Sequence, residues 1–271
     1  MDSKELEKIC LETCNIVRHA GAFIKDQIGK VKKNQVHSKD LNSLVSYVDQ
    51  ETEKKLVAQL SRLLPEAGFL TEEETVQQES KKHRWIIDPL DGTTNFLHQI
   101  PFFSISVALE INEELVMGIV YEVNRDECFY AWKNGGSWLN KSPIRVKEDL
   151  AFAESIIATG FPYYDFTNTD AYLAVLKECI TQTRGLRRFG SAALDLAYTA
   201  CGRFDAFYEI TLNAWDVAAG IVLVKEAGGL VSDFKGGDDF LYGQEIVAGQ
   251  PIIHKRLLEI LKEKYNRIAL S

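Results

Sequence analysis

The sequence predicts a layered α/β protein, with two sheets and with its chemistry-bearing residues between two halves. Three observations predict it. Amphipathic helical patterns open the chain, strands joined by turn signals follow to about residue 147, and strands then alternate with helices to the end.

Residues 4–28 carry Leu6, Ile9, Cys10, Cys14, Ile16, Val17, Ala20 and Phe23 close to a 3.6-residue period, which predicts a helix with one buried face. A second helical pattern covers 49–63, with Leu56, Val57, Leu60 and Leu63 on one side. Asp49, with Thr52 and Glu53 behind it, is placed like its N-cap. Phe69-Leu70 and Trp85-Ile86-Ile87 are short apolar runs of strand character. Two hairpins follow. One joins 103–111 to 115–122 through Asn112-Glu113-Glu114, and the other flanks Asn134-Gly135-Gly136 with 128–132 and 137–139. Residues 146–154 are polar and loop-like. Beyond them lie strands at 155–159, 185–189, 205–209 and 229–233, and helices at 170–182, 191–201, 215–227 and 253–266. The expected organisation is one domain over 1–271 with two halves. About 1–147 puts helices on a mainly antiparallel sheet, and 148–271 forms a second α/β half.

A chain of 271 residues can bury a large core, and 46% hydrophobic with 26% charged content is ordinary for a globular protein. The net charge of −8 and the shortness of the basic clusters (Lys30 to Lys33, Lys81 to Arg84, Arg184 to Arg188) argue against nucleic acid or an anionic membrane as partner. A small anionic substrate remains compatible, because bound divalent cations reverse the sign of one cleft locally. No apolar stretch approaches the roughly 20 residues that span a bilayer. The N-terminus opens with Asp2, Lys4, Glu5, Glu7 and Lys8 and has no apolar signal-peptide core. Five cysteines without CxxC or Cys/His zinc spacing read as reduced thiols, which predicts a cytoplasmic protein. The five histidines show no ligand spacing, and His98 reads as surface.

The densest signal is Asp88-Pro89-Leu90-Asp91-Gly92-Thr93-Thr94-Asn95-Phe96. A strand delivers two carboxylates, three residues apart, into a turn. Pro89 fixes φ and lacks an N–H, Gly92 permits close backbone approach, and Thr93-Thr94-Asn95 opens a short helix. Carboxylates and carbonyls suit Mg²⁺, and free N–H groups suit a phosphate. An isolated DxxDG is equally the signature of a capped turn. Three other regions bear on the choice. Thr71-Glu72-Glu73-Glu74 ends a strand, Phe207-Tyr208-Glu209 ends another, and Trp215-Asp216 opens an apolar helix. Each has an ordinary reading of its own, as a solvated charge run or a helix-dipole partner. Together they supply carboxylates at strand ends and helix starts, which face a common crevice in open α/β sheets.

These residues resemble the inositol monophosphatase family, within the lithium-sensitive, magnesium-dependent phosphatases. The match runs through Thr71-Glu72-Glu73, Trp85 to Phe96, Gly190-Ser191-Ala192-Ala193 and Trp215-Asp216-Val217-Ala218-Ala219-Gly220. It implies an alternating αβαβα sandwich of the sugar-phosphatase type and a homodimer. It also implies two or three Mg²⁺ per site. Glu72, Asp88 and the Leu90 carbonyl would bind one ion, Asp88, Asp91 and Asp216 a second, and Glu72 a third through water. Thr93, paired to Asp49, would orient the attacking water. Gly92 and Thr93 would offer N–H groups to the phosphate. Gly190, Ser191, Ala192 and Glu209 would line the alcohol pocket, with Asp91 and Asp216 also facing substrate. Lys39 would sit in the loop that closes over the metals.

The implied reaction is hydrolysis of a small phosphate monoester, myo-inositol 1-phosphate foremost, by an activated water. Relatives acting on nucleotides typically read DGTKEF where this chain reads Asp91-Gly92-Thr93-Thr94-Asn95-Phe96, which disfavours them. Histidinol phosphate, sugar phosphates, NADP and fructose 1,6-bisphosphate stay open as substrates. So does a regulatory binding role, for which Arg184, Arg187 and Arg188 are the feature to cite. Thr211 to Ala214 and Phe161-Pro162-Tyr163-Tyr164 stand near the expected pocket without fixing the alcohol.

Overall fold

The computed structural model describes residues 1–40, 43–76, 82–162 and 166–266, with the side chains of 38–40, 43 and 266 also outside the description. Helix α1 (Ser3–Gln27) starts where the Asp2 carboxylate accepts the Glu5 N–H at 2.9 Å. Its buried face carries Leu6, Ile9, Cys10, Cys14, Val17, Ala20 and Ile24, so the two cysteines share that face as expected. All five cysteines are free thiols. A small hairpin, β1 (Val36–Asp40) and β2 (Ser43–Ser46), precedes α2 (Tyr47–Leu63) and was not visible as alternation. The N-cap of α2 is Ser46 rather than Asp49. Ser46 Oγ accepts from Val48 N at 3.1 Å, and Asp49, three residues on, accepts the Ser46 N–H at 2.9 Å. That reciprocal pair is a capping box.

Seven strands form the first sheet in chain order: β3 (Gly68–Thr71), β4 (His83–Asp91), β5 (Ser104–Ile111), β6 (Glu114–Glu122), β7 (Glu127–Trp132), β8 (Gly136–Leu139) and β9 (Ser142–Ile144). Only the β3–β4 pair is parallel. The β5–β6 turn is Asn112-Glu113, with φ of 50° and 66°. Two left-handed residues in a two-residue loop match the twist of the strands. A five-stranded sheet follows: β10 (Ile156–Thr159), β11 (Gly185–Arg187), β12 (Ala206–Ile210), β13 (Leu230–Ser232) and β14 (Glu245–Gly249), in the order β11-β10-β12-β14-β13. The last of these, β14, was missed. It is buried on both faces, so its apolar residues show no alternation.

The layers alternate as α/β/α/β/α. Helices α1 and α2 cover the outer face of the first sheet over Ile87, Ile105, Val107, Leu109 and Ile119. Helices α4 (Thr169–Gln182) and α7 (Pro251–Ile260) cover the outer face of the second over Ile157, Ala206, Tyr208 and Val247. A π-helical turn, Leu261–Asn266, extends α7 over the predicted end of that helix. Between the sheets lie α5 (Ala192–Ala200) and α6 (Ala214–Glu226). Every residue of α5 is buried, as is the run Val217 to Val224 of α6. A helix apolar on all sides needs cover on all sides, and the two sheets provide it.

This central layer is packed closely. On β6, a Cβ at Gly118 would lie 2.4 Å from the carbonyl oxygen of Ala219 on α6. Gly118→Ala is therefore expected to lower unfolding free energy by about 1–3 kcal/mol through forced separation of helix and sheet. Urea unfolding checks this, and an unchanged midpoint would contradict the close approach.

Candidate active site

Strand β4 enters the site with a fault in its ladder. Asp88 faces Ser106 of β5 and Asp91 faces Ser104, so three steps on β4 oppose two on β5. In a regular strand, residues three apart point to opposite faces. The bulge cancels one step and turns both carboxylates toward the central layer. Pro89 stands inside it, where a missing ladder donor costs least. Leu90 N donates to Asp88 Oδ1 at 2.9 Å and closes the local turn.

Gly92 ends the bulge with φ of 93° and caps α3 (Thr93–Leu97). A side chain there would meet Phe102 O and Gly190 O at 3.1 and 3.2 Å, so both conformation and space require glycine. Asn95 ties this turn to the second half of the chain, because its Nδ2 donates to Phe102 O at 2.8 Å and to Phe189 O at 2.7 Å.

The other carboxylates arrive from neighbouring elements. Glu72 follows the end of β3, and its N–H donates to Ile87 O at 3.2 Å. Parallel pairing of Thr71 with Ile87 thus sets Glu72 beside Asp88. Asp216 lies in the first turn of α6 and accepts the Asn213 N–H at 2.7 Å. Asp91 Oδ2 accepts from Ser191 Oγ at 2.5 Å and from Ala193 N at 2.9 Å, both at the start of α5. Glu209 comes from β12 and is buried.

These groups wall one cavity of about 400 Å³. It gathers Glu72, Asp88, Leu90, Asp91, Gly92 and Thr93 from the first half of the chain. Gly190, Ser191, Ala192, Glu209 and Asp216 come from the second. Thr211, Leu212, Asn213 and Trp215 also line it, and so does Arg188, read from sequence only as part of a surface patch. Asp49 is not on the wall. It stands one bond behind, where Thr93 Oγ1 donates to Asp49 Oδ1 at 2.7 Å. The side chain of Lys39 and all of Tyr163 and Tyr164 lie outside the described residues. His98 is exposed beyond the end of α3.

The electrostatics are one-sided. Burial first, then the charges of Glu72, Asp91 and Asp216, hold the Asp88 carboxyl far above the usual carboxylate range. Asp216 is raised likewise by burial, Glu72 and Asp91. Burial lifts Asp91 to about 6 against the hydrogen bonds of Ser191 and Ala193. Burial also lifts Asp49 to about 6, against those of Thr93 and Ser46. Glu209 is raised by burial and relieved in part by Arg188.

The carboxylates share walls without meeting at a point. Among the described residues, no three His, Cys, Asp or Glu side chains are gathered closely enough to grip a metal ion as they stand. Their chemistry nevertheless fits a hard divalent cation: carboxylates and the Leu90 carbonyl, with neither thiol nor imidazole among the described lining residues. Glu53 of α2, which the sequence offered only as part of a helix start, accepts hydrogen bonds from Thr71, Glu73 and Thr75 on either side of Glu72.

The model of the inositol monophosphatase family matches residues 5–266. An inositol-1-monophosphatase of Mesorhizobium japonicum is 42% identical over 245 residues, covering 90% of this chain and 92% of that protein. A protein of Pseudomonas aeruginosa named Nus factor SuhB is 40% identical over 250 residues, covering 90% and 92%. The crystal structure of the extragenic suppressor protein suhB from Bartonella henselae superposes with a TM-score of 0.89 at 40% identity, covering 95% and 98%. No helix among the described residues is long and apolar enough to cross a membrane.

One prediction concerns pH in the cation-free state. The raised pKa of Asp91 means that the folded protein holds a proton the unfolded chain releases between about pH 4 and 6. Ionising it therefore costs stability as pH rises through that window. In EDTA, the melting temperature of Asp91→Asn should gain on wild type between about pH 4 and 7, by the equivalent of about 1–3 kcal/mol. Parallel melting curves across that range would contradict the assignment.

Proposed function

The chain belongs to the inositol monophosphatase family, a family of metal-dependent phosphatases, and we propose that it hydrolyses small phosphate monoesters with magnesium, myo-inositol 1-phosphate foremost. One observation carries this reading: Glu72, Asp88, Asp91, Asp216 and Leu90 wall the same cavity as Thr93, whose hydroxyl donates to Asp49 at 2.7 Å.

Glu72, Asp88 and the Leu90 carbonyl would hold one ion, Asp88, Asp91 and Asp216 a second, and Glu72 a third through water. Bound magnesium would neutralise the phosphate, lower the pKa of a water and stabilise the departing oxygen. The protein's own groups then position the reactants. With its O–H donating to Asp49 at 2.7 Å, the nearer of two acceptors beside Leu90 O at 3.0 Å, Thr93 Oγ1 has lone pairs left to accept from a water and aim it at phosphorus. The N–H groups of Gly92 and Thr93 would receive phosphate oxygens. The new P–O bond forms from water, the ester P–O bond breaks, and the alcohol oxygen takes up a proton. No side chain becomes phosphorylated. Ser191 spends its hydroxyl on Asp91, so with Gly190 and Ala192 it serves the alcohol pocket mainly as wall. Glu209 would accept from alcohol hydroxyls, which favours polyols over plain alkyl esters.

A second reading, a binding role alongside catalysis, draws support from the identity to the protein named Nus factor SuhB. The complete carboxylate set argues against it as the sole role. A homodimer and lithium sensitivity are further parts of the proposal that rest on the family resemblance, and a cytoplasmic location is one that rests on the reading of the cysteines as reduced thiols.

The deciding assay is phosphate release with and without Mg²⁺ from inositol 1-phosphate, glycerol 2-phosphate, histidinol phosphate, NADP and fructose 1,6-bisphosphate. Release should require Mg²⁺, be fastest for inositol 1-phosphate and fall with added lithium. Absence of Mg²⁺-dependent release from every compound would sink the proposal. Asp91→Asn should lower kcat by about a hundredfold or more while the protein stays folded. Wild-type turnover in that variant would refute the site.

A further inference from the structure

Glu53 is a fully buried carboxylate that does not touch the cavity. Its Oε1 accepts from Thr71 Oγ1 at 2.9 Å, Thr75 N at 2.7 Å and Thr75 Oγ1 at 2.7 Å. Its Oε2 accepts from Glu73 N at 2.9 Å. The donors flank Glu72 on both sides. Past Thr71 the chain leaves the sheet, and the amides of Glu73 and Thr75 turn to Glu53. Between them Glu74 takes a left-handed φ of 51°, a conformation that needs support from its surroundings.

The geometry points to Glu53 as a positioning residue for the cation site, and this rests on the phosphatase reading above. It acts through Glu72, by fixing the turn from which that carboxylate projects. The residue type follows from the donor set. Four donors converge, and an ionised carboxylate has about four acceptor sites and no donor of its own. Glutamine keeps the length but sets an NH₂ against one group of donors, whichever way the amide is turned. Aspartate keeps the charge but falls one methylene short.

Glu53 also lies one helical turn from Asp49. The same face of α2 therefore holds the Thr93 hydroxyl at one carboxylate and the Glu72 turn at the next. Displacing Glu53 should move the cation donor and leave the Thr93–Asp49 pair in place. That separates metal affinity from the chemical step.

The test is calorimetric titration of Mg²⁺ alone into EDTA-stripped, dialysed full-length protein, for wild type, Glu53→Gln and Thr75→Val. Melting curves in EDTA establish that each is folded. Glu53→Gln should weaken Mg²⁺ affinity by about tenfold or more. Much of its kcat should return at saturating Mg²⁺, a pattern that mere loss of stability does not produce. Thr75→Val, which removes one donor and keeps the carboxylate, should weaken affinity less and serves if Glu53→Gln does not fold. Wild-type affinity in a folded Glu53→Gln, or in Thr75→Val should that variant alone fold, overturns the role of Glu53 and leaves the phosphatase reading intact. Absence of Mg²⁺ binding by wild type itself overturns both.

Discussion

Asp88, Asp91, Asp216 and Glu72 repel one another across a single cavity, and the surrounding architecture holds them there against that repulsion. In a poorly solvated site, like charges are costly unless they are neutralised. Protonation is one relief, and the raised pKa values of Asp88, Asp91 and Asp216 express it. A divalent cation is the other. Gathering buried carboxylates in one cavity costs stability. Their joint presence is the strongest physical argument that this region is built for binding.

What resists the repulsion is a set of short, local devices supported by a rigid central layer. The bulge in β4 turns two carboxylates to one face. The starts of α5 and α6 deliver hydrogen-bond donors to Asp91 and Asp216. Both sheets cover those helices. Helix α2 works from the opposite side of the first sheet through Asp49 and Glu53. Asp49 bonds to Thr93 and Glu53 to the turn beside Glu72, so one helix is tied to both sides of the cavity.

Much of the site was legible because its residues act locally. Pro89 and Gly92 in a turn that ends a strand and Asp216 at the opening of an apolar helix each announce themselves within a few positions. The elements were legible for the same reason, as periodicity of 3.6 or 2, whereas the order of the layers came from the family resemblance. What was not legible depends on distant partners. Glu53 looked like part of a helix start, since its donors lie 18 to 22 residues away. Asp49 looked like the cap itself, because Ser46 could not be told from any other serine before a helix. The strand β14 pairs with β12 and β13 from far along the chain, and its burial on both faces erased its pattern. Arg188 belonged by composition to a surface patch, and only the fold turns it into the cavity.

Locating the cation is the most direct test of the central claim. Crystals grown with Mn²⁺ in place of Mg²⁺ can be measured for anomalous scattering at the manganese edge. The account predicts strong peaks inside the cavity, bounded by Glu72, Asp88, the Leu90 carbonyl, Asp91 and Asp216. A cavity without a peak, at a Mn²⁺ concentration that supports turnover, would contradict it.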